Sequence, residues 1–203
     1  MKAKPTPIPL YELLCHLNAC GEAVEWARPY GTDYERAWRE CQSGSWLLWL
    51  IGKFSGEPEG EGRKRLVLCC CRCSRLALPI YEQRYPGDFR VRFCIDTAER
   101  WAKGRKTTDK LQRALALAAY LDGAADAADA YASAAYASAV ATAFSAAAPS
   151  AAAAAYASAA YAADGCTATE SRLRVQAQCA DIVREDYPFA LVERMVLGGK
   201  LEA

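Results

Sequence analysis

The octapeptide AYASAAYA occurs twice, at 130–137 and again at 155–162, inside a stretch from Ala114 to Ala163 in which 29 of 50 positions are alanine. Alanine is the strongest helix former and loses no side-chain entropy in a helix, so a preference summed over this length predicts helix. Pro149 falls between the two copies and Ser150 after it is a natural N-cap, which predicts two successive helices running in opposite directions. Methyl-only faces let such helices approach closely. Tyr120, Tyr131, Tyr136, Phe144, Tyr156 and Tyr161 are expected to fill what alanine leaves open. Two copies are too few for a solenoid, and with Thr142 the lone threonine of the stretch there is no flat threonine face of the ice-binding kind.

Upstream, periodicity predicts a run of shorter helices. The first covers Pro9 to Asn18, with Leu10, Leu13, Leu14 and Leu17 at helical spacing and Gly21 as its stop. A second carries Ala23, Trp26 and Ala27 and ends ahead of Pro29, because a residue before proline is pushed out of the helical region. Thr32 followed by Glu35 has the form of a capping box for a third. A fourth starts at Ser45 and sets Trp46, Trp49 and Leu50 on one face. SGEPEGEG at 55–62 is the clearest linker. Beyond it a long helix spans 63–78, bent or ended by Pro79, and a helical turn closes at Tyr85 before Pro86. A helix from Asp88 to Gly104 follows. After the alanine-rich region come a helix at 168–186 and a weaker one from Phe189 to Leu197. RLVLCC is the one competing strand candidate, and its apolar run continues past strand length.

The expected fold is therefore all-α: a compact bundle of about nine to ten helices with tightly packed, antiparallel alanine-rich members. Its parts are an N-terminal short-helix subdomain (1–54), a linker (55–62) and a main helical region (63–203), together one compact domain. The alanine stretch carries Asp122, Asp126, Asp129 and five serines and is no membrane span. The N-terminus is too polar and too rich in proline for a signal-peptide core, so the expected location is cytoplasmic.

A net charge of +1 hides three blocks: residues 1–60 carry −2, residues 61–113 carry +8 and residues 114–203 carry −5. Arg65, Arg72 and Arg75 fall at i, i+7 and i+10, a stripe on one helix. Arg90, Arg92, Arg100, Lys103, Arg105 and Lys106 follow on the next. Arg65, Arg72, Arg75, Arg90, Arg92, Lys103, Arg105 and Lys106 are the candidate partner-binding residues, suited to an acidic protein surface or to phosphates. The same cations can also answer acids elsewhere in the chain.

Other candidate chemistry is thin. CCCRC (Cys69 to Cys73) contains a CxxC at Cys70 and Cys73, and Cys69 shares a helical face with Cys73, but a zinc site needs four ligands and no second pair is present. Cys15, His16, Cys20 and Cys41 match no ligand spacing. Buried structural thiols are the expectation. His16 is the lone histidine, expected at a core or boundary position, and it leaves nucleophilic catalysis without a base. Asp122, Asp126 and Asp129 share a stripe that could ligate Mg²⁺ only with a facing acidic set, so a solvated face is expected. No catalytic residue, metal or cofactor is expected, and the chain is read as no enzyme.

Five fragments, LNACGEAVEWARPYG, SWLLWL, LPIYEQRYPGDFRVRFCIDTAERWAKG, the alanine-rich helices after Thr108 and LRVQAQCADIVREDYP, jointly resemble the immunity-protein-5-like group, alanine-rich bacterial and phage proteins described as immunity proteins of polymorphic toxin systems. That resemblance implies an all-helical fold and neutralisation of a protein partner by tight binding. It supplies no catalytic or ligand residues. The expected function is a non-enzymatic, protein-binding inhibitor that acts by occlusion, in toxin immunity or in phage counter-defence such as anti-CRISPR activity. The alternative is nucleic-acid binding through the basic block at 63–113.

Overall fold

The computed structural model describes residues 8–57, 59–105 and 169–198. Every regular element in them is helical: α1 (Leu10–His16), α2 (Gly21–Ala27), a 3-10 turn (Arg28–Tyr30), α3 (Tyr34–Glu40), α4 (Gly44–Lys53), α5 (Glu61–Arg84), α6 (Arg90–Ala102), α7 (Thr169–Asp186) and α8 (Phe189–Gly198). The fold is all-α, and RLVLCC lies inside α5. The repeated octapeptide, the break at Pro149, the aspartate stripe at 122–129 and Lys106 lie outside the described residues. No described helix is long and apolar enough to cross a membrane. By internal packing the chain divides into two compact units, residues 1–41 with 187–203, and residues 42–186.

In the first unit, α1 follows Pro9, whose φ of −56° suits the entry to a helix. Leu10, Leu13 and Leu14 are buried, as their spacing requires. Two local expectations change here. Asn18, at φ 59°, turns the chain after α1, and Gly21 opens α2 instead of closing its predecessor. Asparagine tolerates this left-handed conformation better than most residues with a side chain. His16 is exposed in the last turn of α1, not buried or at a boundary. The α3 cap is Asp33, one residue past Thr32: its carboxylate accepts the Arg36 backbone N–H at 3.0 Å. Leu10 N–H donates to the Gly31 carbonyl at 2.7 Å and the Tyr34 hydroxyl to the Ile8 carbonyl at 2.7 Å, which ties α1 to the turn ahead of α3. α8 packs on α3.

The second unit contains α4 to α7. Ser43 caps α4 by accepting the Trp46 N–H at 3.3 Å. Leu47, Leu48 and Ile51 form its buried face, and Trp46, Trp49 and Leu50 lie half-exposed beside it. α4 meets α7 at Gly44, where a Cβ would stand 2.3 Å from the Cβ of Cys179 and 2.8 Å from the Ala180 nitrogen. Small residues thus set a close helix–helix approach, and Ser45 N–H donates across it to Gln176 Oε1 at 3.1 Å.

The turn leading into α5 is built round a buried cation. Arg63 is only 3% exposed. Its guanidinium donates to Ser55 Oγ at 3.3 Å and to the Gly56 carbonyl at 3.2 Å, and burial lowers its pKa. Gly62 is required there, since a Cβ would fall 2.7 Å from the Ser55 carbonyl oxygen. From this turn α5 runs unbroken through Pro79 to Arg84. The proline neither ends the helix nor has to: it is exposed, while Leu78 and Tyr81 on either side are buried. They join Val67 and Cys71 against Val91, Cys94, Ile95 and Ala98 of α6 in one core.

Candidate protein interface

That core decides where the charges go. With Val67, Cys71 and Leu78 turned inward on α5 and Val91, Ile95 and Ala98 on α6, the cations between them are left at the margins of the helix pair. Arg65, Arg72 and Arg75 of α5 line a cleft of about 420 Å³ with Lys103, just past α6, over Leu68 and Cys71. Glu99 and Asp186 complete its wall. Four of the eight predicted residues are therefore brought together.

Each of the four is held by an oxygen of the same unit. Arg65 donates to the Asp186 carbonyl. Arg72 pairs with Asp186 Oδ1 at 2.6 Å and with Glu185, both at the end of α7. Arg75 bridges Asp96 at 2.8 Å and Glu99 at 2.6 Å, and Lys103 also takes Glu99. Lys103 and Arg75 hold the Glu99 carboxyl below the usual carboxylate range. Half-exposed pairs of this kind contribute little to stability, about 0–1 kcal/mol each. Their effect is to orient the guanidinium groups.

Arg90 and Arg92 lie elsewhere on α6. Arg90 belongs to a clamp at the α5–α6 turn, where the Tyr81 hydroxyl donates to Asp88 Oδ2 at 2.6 Å and Asp88 Oδ1 accepts from Arg90 N at 3.0 Å and from Nε at 2.8 Å. Burial and the Asp88 carboxylate push the Tyr81 hydroxyl up to about 12, and the Arg90 guanidinium holds Asp88 well below its ordinary range. Arg92 makes a two-pronged pair with Glu82 at 2.8 Å on both prongs. Arg105 is exposed.

The thiols of the CCCRC cluster are buried, whereas Cys15 and Cys20 in the first unit are exposed, against the expectation of buried thiols. Cys69, Cys70, Cys71 and Cys73 are all inside, and Cys71 Sγ donates to the Ile95 carbonyl at 3.7 Å. Cys73 hydrogen-bonds with Cys179 of α7 and with Cys69, and those bonds together with burial raise it well above the ordinary thiol value. Burial does the same to Cys71 and pushes Cys94 up to about 11. Thiols held protonated at neutral pH are poor nucleophiles and poor metal ligands. Among the described residues no three His, Cys, Asp or Glu side chains converge as a metal site. What the cleft offers is oriented cations.

Sequence reasoning found the cations and missed the acids that hold them. Glu185 and Asp186 are more than a hundred residues from Arg72, and no local pattern links the two.

Residues 57–185 match the family model described as "Imm-5 like putative immunity protein". The chain belongs to that family. The match covers more than half of the chain and takes in α5, α6 and nearly all of α7, the helices that build the cleft. The fragments LNACGEAVEWARPYG and SWLLWL lie outside it. No curated protein and no solved structure matches the chain. Membership of the Imm-5 like family carries an immunity role.

Proposed function

We propose that this Imm-5 like chain is a non-catalytic immunity protein that binds a protein toxin through its cationic α5–α6 face and blocks the toxin by covering it. The observation that carries this reading is the coincidence of the family match at 57–185 with the helices that gather Arg65, Arg72, Arg75 and Lys103 at one cleft. Oriented cations steer an acidic partner and fix its register. Carboxylates held below their usual range and thiols held above theirs are badly suited to proton transfer or nucleophilic attack near neutral pH. Occlusion needs neither.

The same face could meet phosphates, the second reading. Five of the eight predicted cations, Arg72, Arg75, Arg90, Arg92 and Lys103, already engage carboxylates. Those pairs count for more against a nucleic acid, whose binding rests chiefly on neutralising phosphates with free cations, than against a protein, whose contact also has an apolar core, and this favours the protein reading.

The test is co-expression with a toxin domain, sought first among the genes that neighbour this one. Protection from growth arrest is expected, together with its loss in an Arg65→Glu/Lys103→Glu variant whose melting temperature stays within a few degrees of the parent. Arrest that the parent chain fails to relieve contradicts the immunity reading. A phage operon with no toxin, and capture of a defence-complex subunit, would move the target to counter-defence.

A further inference from the structure

α6 has a second apolar stripe that its core does not use. Phe89 and Phe93 stand one turn apart, linked by the Phe93 N–H to the Phe89 carbonyl at 2.8 Å, and are 65% and 40% exposed. Tyr85 lies across the turn from them, 36% exposed, with its carbonyl accepting the Asp88 N–H at 3.1 Å. A single exposed apolar residue needs no explanation. Two phenylalanines on adjacent turns are different, because together they leave in water a contiguous apolar surface that a partner would cover.

Two further observations say what such a ridge meets. The turn that carries it is rigid, fixed by the Tyr81–Asp88–Arg90 clamp, so little ordering is lost on binding. The α5–α6 hairpin is also strongly cationic: residues 61–105 hold eleven Lys/Arg against five Asp/Glu, a net +6. Arg92 adjoins Phe93, and Arg100 continues the stripe two turns on with no ion pair among the described residues. Aromatic anchors flanked by arginine are the composition of protein–protein hot spots. A second copy of the chain would bring like charge against like. A nucleic-acid strand would have to track a cationic groove that Asp96 and Glu99 interrupt.

We propose that Tyr85, Phe89 and Phe93 are the apolar anchor of an interface with an acidic protein surface, with Arg92 and Arg100 as its charged flank. The anchor deepens the immunity reading and rests on it for one thing, the toxin domain as partner.

Two measurements test it. In the first, a phage-displayed random peptide library is selected on the full chain and on Phe89→Ser/Phe93→Ser, with melting curves confirming that both are folded and Phe89→Leu/Phe93→Leu as the apolar control. Acidic peptides bearing a bulky apolar residue are expected on the parent and on the leucine variant, and about tenfold fewer on the serine variant. No enrichment, equal enrichment on the serine variant, or a dimer that the serine variant dissolves overturns the proposal. In the second, affinity for a toxin domain that the parent chain neutralises in co-expression is expected to fall about 10- to 100-fold in the serine variant. Undiminished affinity overturns the anchor and leaves the immunity reading standing. A parent chain that does not bind that domain overturns the immunity reading, and the peptide selection then decides the anchor alone.

Discussion

Tyr81 does two things at once: its ring closes the core between α5 and α6, and its hydroxyl holds Asp88. Because burial and, after it, the bond to Asp88 raise the hydroxyl from its ordinary 10.0 to about 12, the stability tied to its proton is present in full below pH 10 and is lost as pH climbs from 10 to 12. Asp88 has the opposite sign. Folding lowers it, so its contribution is present above the ordinary carboxylate range and is lost only in acid well below that range. Chemical denaturation of Tyr81→Phe at neutral pH should show a loss of about 1–3 kcal/mol, the value of a hydrogen bond to a charged group. The alkaline fall in stability between pH 10 and 12 should flatten in the same variant. An unchanged alkaline profile would mean that the clamp does not couple to folding. At this scale the sequence was half legible. Arg65, Arg72 and Arg75 could be placed on one stripe from spacing alone, while the acids that fix them come from α6 and α7 and obey no local rule.

Elements were the most legible level, because hydrophobic periodicity survives whatever the tertiary context does. α5, α6 and α7 lie close to where spacing put them, and the errors concern their ends and faces. Thr32 lost the cap of α3 to its neighbour Asp33, an equally good acceptor. On α4 the two tryptophans suggested a face, but the smaller Leu47, Leu48 and Ile51 are the residues that fit the interior. That choice follows from α7, which presses so close to the start of α4 that only a hydrogen fits between Gly44 and Cys179. Gly44→Ala should therefore destabilise the protein by about 1–3 kcal/mol in thermal or denaturant unfolding, even though alanine is the better helix former. A neutral or stabilising outcome would show that α4 and α7 are not in such close approach. Phe89 and Phe93 were also readable on a helical wheel, on the opposite side from Val91 and Ile95, yet nothing in the sequence alone distinguishes an exposed apolar stripe from one covered by another helix.

On the scale of the whole molecule, a nearly neutral chain concentrates net +6 on one helical hairpin, and that hairpin falls within the residues that define its family. The arrangement suits a surface that meets another protein rather than a cavity that transforms a substrate. The most direct measurement is calorimetric titration of a purified candidate toxin domain, sought among the genes that neighbour this one, into the full chain at low and high salt, followed by the intact mass of both proteins. A tight complex with one copy of each partner, an affinity that falls as salt rises and unaltered masses are predicted. Absence of a complex, or a toxin domain returned with a changed mass, would contradict binding by occlusion.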